Sequence, residues 1–139
     1  METFFMALAD KTRLRLLNLM REGEICVCFL VEVLDESQPK ISRHLAYLRS
    51  AGVVEARRDG KWMHYKIVVP EDDFAARVLR DTLLWLDSQE IMQTEYEKLE
   101  QVCCSSERTV TITRAPIPET FVSTNTSRVQ SEELETFLL

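Results

Sequence analysis

A mainly α-helical domain with a single β-hairpin is the fold expected of these 139 residues, and three features point to it. Apolar residues recur at helical spacing through the first fifty positions and again beyond residue 70. Between these stretches, Val53–Arg58 and Lys61–Ile67 alternate on either side of the turn pair Asp59-Gly60, which is the pattern of a hairpin with a type I′ turn. Glycine occurs only at positions 23, 52 and 60, so neither a P-loop nor a dinucleotide-binding glycine loop can be written, and nucleotide-dependent enzymes are disfavoured.

Phe5, Leu8 and Ala9, then Leu14, Leu16, Leu17 and Met20, recur at helical spacing, with Asp10 placed to cap the second group. A short helix followed by a longer one is expected, stopped by Gly23. The apolar run over 24–34 begins with an acid, where a helix dipole favours negative charge, and predicts a third helix. Ser37-Gln38-Pro39 reads as a helix start, a hydroxyl cap followed by proline in the first turn. That helix is expected to reach Ala51 and end at Gly52, with Ile41, Leu45 and Leu48 on one core-facing stripe. Its opposite face centres on Arg43 and is small, polar and basic. After the hairpin, Pro70 and the acids Glu71, Asp72 and Asp73 open an amphipathic helix that includes Phe74, Trp85 and Leu99. At ~1.5 Å per residue it would be roughly 45 Å long, and a helix longer than its small domain calls for a partner, here the same helix of a second subunit. The domain is expected to occupy residues 1–104. Beyond it the composition turns to Ser, Thr and Pro, and 105–139 are expected to form a flexible tail ending in Phe137-Leu138-Leu139.

The net charge of −6 conceals an asymmetry. Residues 37–66 carry seven Lys or Arg against Glu55 and Asp59, a local charge of +5, whereas residues 68–139 carry six basic and fourteen acidic residues, or −8. Phosphate binding responds to the local field, so the basic block is a candidate nucleic-acid surface. Helices, a polar-faced helix and a basic-tipped hairpin, in that order, are the layout of a winged helix-turn-helix. Such a domain sets one helix in the major groove, about 12 Å wide, and lets the wing touch backbone or minor groove. Gln38, Ser42 and Arg43 suit base edges, Lys40, Arg57, Arg58 and Lys61 suit phosphates, and Ser37 and His44 complete the expected DNA face.

No apolar run approaches the ~18 residues of a membrane span, and the first residues lack the pattern of a secretory leader. A cytoplasmic protein is therefore expected, in which Cys26, Cys28, Cys103 and Cys104 stay reduced and serve metal binding or redox sensing rather than a disulfide framework. Trp62, Tyr65 and Trp85 are read as packing residues. An enzyme is disfavoured: there is no cofactor loop, no Cys-x-x-Cys and no cysteine with a neighbouring histidine.

The segments ALADKTRLRLLNLM, EICVCFL, SQPKISRHLAYLRSAGVV and RRDGKWMHYKI together resemble the ArsR/SmtB family of bacterial metal-responsive repressors, over about residues 4 to 100. Glu-Ile-Cys-Val-Cys is similar to the cysteine motif of its arsenic- and cadmium-responsive branches. The resemblance implies a homodimer, joined through its first and last helices, that binds double-stranded operator DNA and releases it when an effector binds. Two departures matter. Val31 stands where the arsenic-type motif carries its third cysteine, and residues 71–100 contain none of the histidines of the zinc-sensing branch. The resemblance therefore leaves Cys103 or Cys104 to supply a third thiolate, from the same subunit or its partner. Soft ions match thiolate ligands. Arsenite or antimonite is the expected effector, with cadmium or lead drawing a fourth ligand from the Cys103-Cys104 pair as the alternative. A thiol redox or persulfide switch of the same fold is the other. On one helix, residues i and i+2 point about 200° apart, so Cys26 and Cys28 would share an ion only if that helix unwound at its start.

Overall fold

In the computed structural model, which describes residues 1–104 and 115–122, Asp10 divides the first two helices, α1 (Glu2–Leu8) and α2 (Lys11–Leu19). Its carboxylate accepts the Arg13 amide at 3.0 Å, satisfying one of the amides that a helix start leaves open. The start of α4 (Gln38–Ser50) repeats the device. Ser37 accepts the Lys40 amide at 3.4 Å, and Pro39 sits in the first turn. Ile41, Leu45 and Leu48 are fully buried, as their spacing predicts. The chain leaves α4 through Gly52, whose φ of +76° is a conformation that side chains disfavour.

The third helix departs from expectation. Residues 24–34 do not form one helix: Ile25–Cys26 is a short strand, β1, and α3 covers Val27–Leu34. The wing strands β2 (Val54–Asp59) and β3 (Trp62–Ile67) follow α4, and the antiparallel sheet has the order β1-β3-β2. Ile25 lies opposite Tyr65 and Cys26 opposite His64. A buried apolar run can serve either a helix or a strand, and here a ladder formed with residues about forty positions away satisfies the backbone first. The hairpin turn also differs by one residue. Asp59 pairs with Trp62, so Gly60-Lys61 forms the loop. Only Gly60 of the two has positive φ, at +59°, the signature of type II′ rather than type I′.

The expected 45 Å helix is two helices, α5 (Asp73–Asp87) and α6 (Glu90–Cys104). Each has 15 residues and so measures about 22 Å. The Asp72 side chain caps α5 by accepting the Ala75 amide at 2.8 Å. The break falls at Ser88, whose hydroxyl donates to the Trp85 carbonyl at 2.6 Å. Its cause lies in what α6 reaches by turning back. Met92, Tyr96, Leu99 and Cys103 become buried, Asn18 donates to the Met92 carbonyl at 2.9 Å, and Arg15 meets Glu95 at 2.6 Å. A straight helix would have left that stripe in water. On α5 and its neighbours Phe5, Met6, Phe74, Leu84 and Trp85 stay exposed, so Trp85 is not the packing residue expected, whereas Trp62 and Tyr65 do pack against the core.

Part of the stretch expected as a flexible tail is packed. Ala115 and Phe121 are buried, the Phe121 ring lies 6.2 Å from that of Tyr96, and the Thr120 hydroxyl donates to the Glu22 carbonyl at 3.2 Å. Apolar side chains placed among Ser and Thr found a groove beside α6, which the composition of the stretch did not reveal. The rest of that expectation, Phe137-Leu138-Leu139 included, lies outside the described residues. Among the described residues no helix is long and apolar enough to cross a membrane.

Candidate thiolate site and nucleic-acid interface

With its apolar stripe held in the core, α4 turns Gln38 and Arg43 to solvent and leaves Ser42 half-buried at the margin. The other residues expected to face DNA carry intramolecular contacts. Ser37 caps α4, and Lys40 is paired with Glu36 at 2.8 Å. His44 turns toward α2, with Nδ1 3.7 Å from Asp10 and 3.5 Å from Arg13. On the wing, Arg58 donates to the Gly60 carbonyl at 3.1 Å, and the Lys61 ammonium lies 5.0 Å from the centre of the Trp62 ring. Arg57 donates through Nη2 and Nε to Glu24 Oε1, at 2.6 and 3.1 Å. This guanidinium bond holds the Glu24 carboxyl below its ordinary range against the opposing effect of burial.

Cys26 ends β1 in an extended conformation, φ −68° and ψ 139°, and serves as the N-cap of α3, while Cys28 lies in the first turn. Because Cys26 is extended and lies outside the helix, the 200° separation of i and i+2 on one helix does not apply to the pair. The two sulfurs stand 3.1 Å apart, Cys28 donating to Cys26, so the unwinding expected of a continuous helix is not needed. The hydrogen bond from Cys28 is the main cause that brings the Cys26 thiol down to about 7; burial opposes it, and the amides of Cys28, Val27 and Met63 assist. The same bond, together with burial and the adjacent charge, pushes the Cys28 thiol up. The pair thus yields one proton near neutrality and keeps the other. Two adjacent soft donors, one ready to ionise, fit a thiophilic ion.

The pattern defining the bacterial regulatory protein, arsR family, matches residues 10–56. The arsenical resistance operon repressor of Escherichia coli is 43% identical over 104 residues, covering 74% of this chain and 87% of that repressor. The chain belongs to the arsR family. The arsenic resistance transcriptional regulator ArsR1 of Pseudomonas putida is 56% identical to this ArsR-family chain over 64 residues, 45% of this chain and 50% of that regulator. The solution structure of a homodimeric winged helix-turn-helix DNA-binding domain from Mycobacterium bovis, described as a possible ArsR-family regulator, matches with a TM-score of 0.52. It is 30% identical and covers 62% of this chain and 77% of that domain. The fold of this ArsR-family member is accordingly the winged helix-turn-helix of transcriptional regulators, a class that binds DNA and is not enzymatic.

The remaining cysteines of the ArsR-family chain end α6, Cys103 fully buried and Cys104 half-buried. Cys103 belongs to the same core cluster as Cys26. Among the described residues no group of three or more His, Cys, Asp or Glu is arranged to hold a metal ion; the structure brings Cys26 to Cys28 and keeps Cys103-Cys104 as a second pair. Sequence reasoning missed three residues around these sites. Arg13 lies 4.3 Å from the centre of the Tyr47 ring and donates to the carbonyls of Ala7 and Met6, at 2.9 and 2.8 Å, joining α1, α2 and α4. Glu24 holds Arg57. His64, only 5% exposed, lies opposite Cys26 with Nδ1 3.9 Å from Glu24, and its Nε2 has no hydrogen-bond partner among the described residues. Each lies within a segment quoted for the family resemblance, yet nothing in the local spacing gives its partner; charge complementarity between Glu24 and the wing arginines was the one available sign.

Proposed function

We propose that this ArsR-family regulator is a homodimeric repressor that binds operator DNA through α4 and the wing and lets go when arsenite or antimonite is captured by Cys26 and Cys28. Cys103 or Cys104, from the same subunit or its partner, supplies the third thiolate. The observation that carries the reading is the 3.1 Å approach of the two sulfurs at the junction of β1 and α3. Repression of arsenical resistance in the Escherichia coli relative points to the same effector. Trivalent arsenic or antimony brings affinity for sulfur; the chain supplies everything else. The Cys28 thiol must break its bond to Cys26, and both sulfurs must turn toward one centre, although Cys26 is fully buried. That shift displaces the start of α3, and α3 leads through only residues 35–37 into α4. A dimer grips DNA only when both α4 helices match successive major grooves, so a small displacement is enough: ~1.4 kcal/mol of coupling is tenfold in affinity.

The exposed apolar residues of α1 and α5, Phe5, Phe74, Leu84 and Trp85 among them, are the surface on which the second subunit would sit. The proximity of the sulfurs also favours a second reading, in which an oxidant or persulfide donor rather than an ion acts on the cysteines. Cadmium or lead, with both Cys103 and Cys104 engaged, is the remaining effector class.

Fluorescence anisotropy of a labelled operator fragment at fixed ionic strength tests these readings. The reduced protein is titrated first, then arsenite is added to wild type, Cys26→Ser/Cys28→Ser and Cys103→Ser/Cys104→Ser. Release of the wild type and of neither variant is the expected result. Release that survives loss of Cys103 and Cys104 would confine the site to Cys26 and Cys28. Release by oxidant without response to arsenite would replace the effector with the redox reading.

A further inference from the structure

The register of the sheet places a thiolate ligand and a DNA-facing arginine in one row. Cys26 lies opposite His64 on β3, and His64 lies opposite Arg57 on β2. Residues paired across neighbouring strands project from the same face. Glu24, two residues before Cys26, reaches along this row and takes both Nε and Nη2 of Arg57, at 3.1 and 2.6 Å. The fork of a guanidinium fits a carboxylate or a phosphate, and donors given to one are withheld from the other. The Arg57 side chain is 55% exposed and that of Glu24 27%, so the pair is open to water and weak enough for a phosphate to displace. We infer that Glu24 is a positioning residue that competes with the operator phosphate for Arg57 and so carries the state of Cys26 into the wing.

This inference rests on the proposed function for its effector half only. β1 is held to β3 by just two residue pairs, so it can shift until an ion ties Cys26 down; capture then holds the Glu24 carboxylate, two residues earlier, in its place on Arg57. The free protein keeps Arg57 on Glu24, and the DNA-bound protein spends Arg57 on phosphate. Whatever stabilises the first arrangement weakens the second by the same factor. Coupling thus runs from the cysteines to the wing directly through the sheet, in parallel with the route through α3 to α4.

Operator affinity is measured by anisotropy over a range of salt for wild type, Glu24→Gln, Glu24→Asp, Arg57→Gln and the Glu24→Gln/Arg57→Gln double variant, each with and without arsenite, with circular dichroism melting to verify folding. Glu24→Gln is expected to bind operator about two- to five-fold more tightly, the range of one partly exposed ion pair. Its salt dependence should match that of wild type, because Arg57 meets phosphate in both complexes, whereas that of Arg57→Gln should be shallower by about one phosphate contact; arsenite should weaken Glu24→Gln binding by a smaller factor than in wild type. Glu24→Asp keeps the charge and should restore most of the wild-type behaviour. In the Arg57→Gln background the Glu24 change should have no effect. Equal tightening with and without Arg57 would show a general charge effect and overturn the inference, as would unchanged affinity in Glu24→Gln or unchanged salt dependence in Arg57→Gln. An undiminished arsenite response in Glu24→Gln would overturn the coupling. Wild-type protein indifferent to arsenite would instead strike the proposed effector, while the salt arm would still report on Glu24 and Arg57.

Discussion

Cys26 and Cys28 act on each other within the folded chain. Cys26 is lowered from 9.0 to about 7 by the bond from Cys28, and Cys28 is raised above 9.0 by the same bond. Between about 7 and 9.0 the folded chain has lost one of these protons and the unfolded chain neither, so stability rises with pH across that window. Above 9.0 the unfolded chain sheds both while the folded one retains that of Cys28, and stability falls. In the Cys103→Ser/Cys104→Ser protein, the melting temperature should therefore peak near pH 9.0, and thiolate ultraviolet absorbance should show an early step near 7. Adding Cys28→Ala, which removes the donor, should move that step toward the ordinary thiol value and flatten the peak. Arg13 makes a second, purely structural prediction. Its loss in Arg13→Ala removes a ring contact and the donor to the Ala7 carbonyl, while the Met6 carbonyl keeps the Ala9 amide, an expected cost of about 1–3 kcal/mol in denaturant unfolding.

Among the elements, those governed by neighbours in the chain followed the sequence most closely. Asp10 and Ser37 cap the helices assigned to them because a cap needs only an amide three residues on. Ile41, Leu45 and Leu48 face inward because 3.6 residues make a turn. Periodicity could not reveal the pairing of β1 with β3, since the strength of that ladder resides in Tyr65 and His64. Nor could it show that Ser88 ends a helix, because the pull comes from Asn18 and Arg15 some seventy to eighty residues earlier. The packed segment 115–122 yields a direct test. Phe121→Ala should expose the Tyr96 ring and cost about 1–3 kcal/mol, less than a central core phenylalanine. Hydrogen exchange should then rise at residues 115–122 and at the end of α2 while α4 stays protected. Unchanged exchange would show that the segment is held by something other than its aromatic contact.

For the whole regulator, the acidic and basic halves divide the labour. The basic block over 37–66 is folded into α4 and the wing, with Lys40 and Arg57 engaged by Glu36 and Glu24. Arg43 stands exposed on the outward face of α4, and under the proposed function it would read a base edge. Arg43→Ala should weaken operator binding by about 1–3 kcal/mol while affecting random DNA much less, as compared in parallel anisotropy titrations. An equal loss on both would reduce Arg43 to a phosphate contact.

The winged helix-turn-helix, its caps, its core stripe and its pair of neighbouring cysteines could all be read from the chain, because each is encoded in spacings of two to four residues. The split of the final helix, the strand that carries Cys26, the packing of 115–122 and the grip of Glu24 on Arg57 could not. Each of these depends on which distant surface buries an apolar stripe or satisfies a backbone or a charge, and that choice is made only when the whole chain has closed around one core.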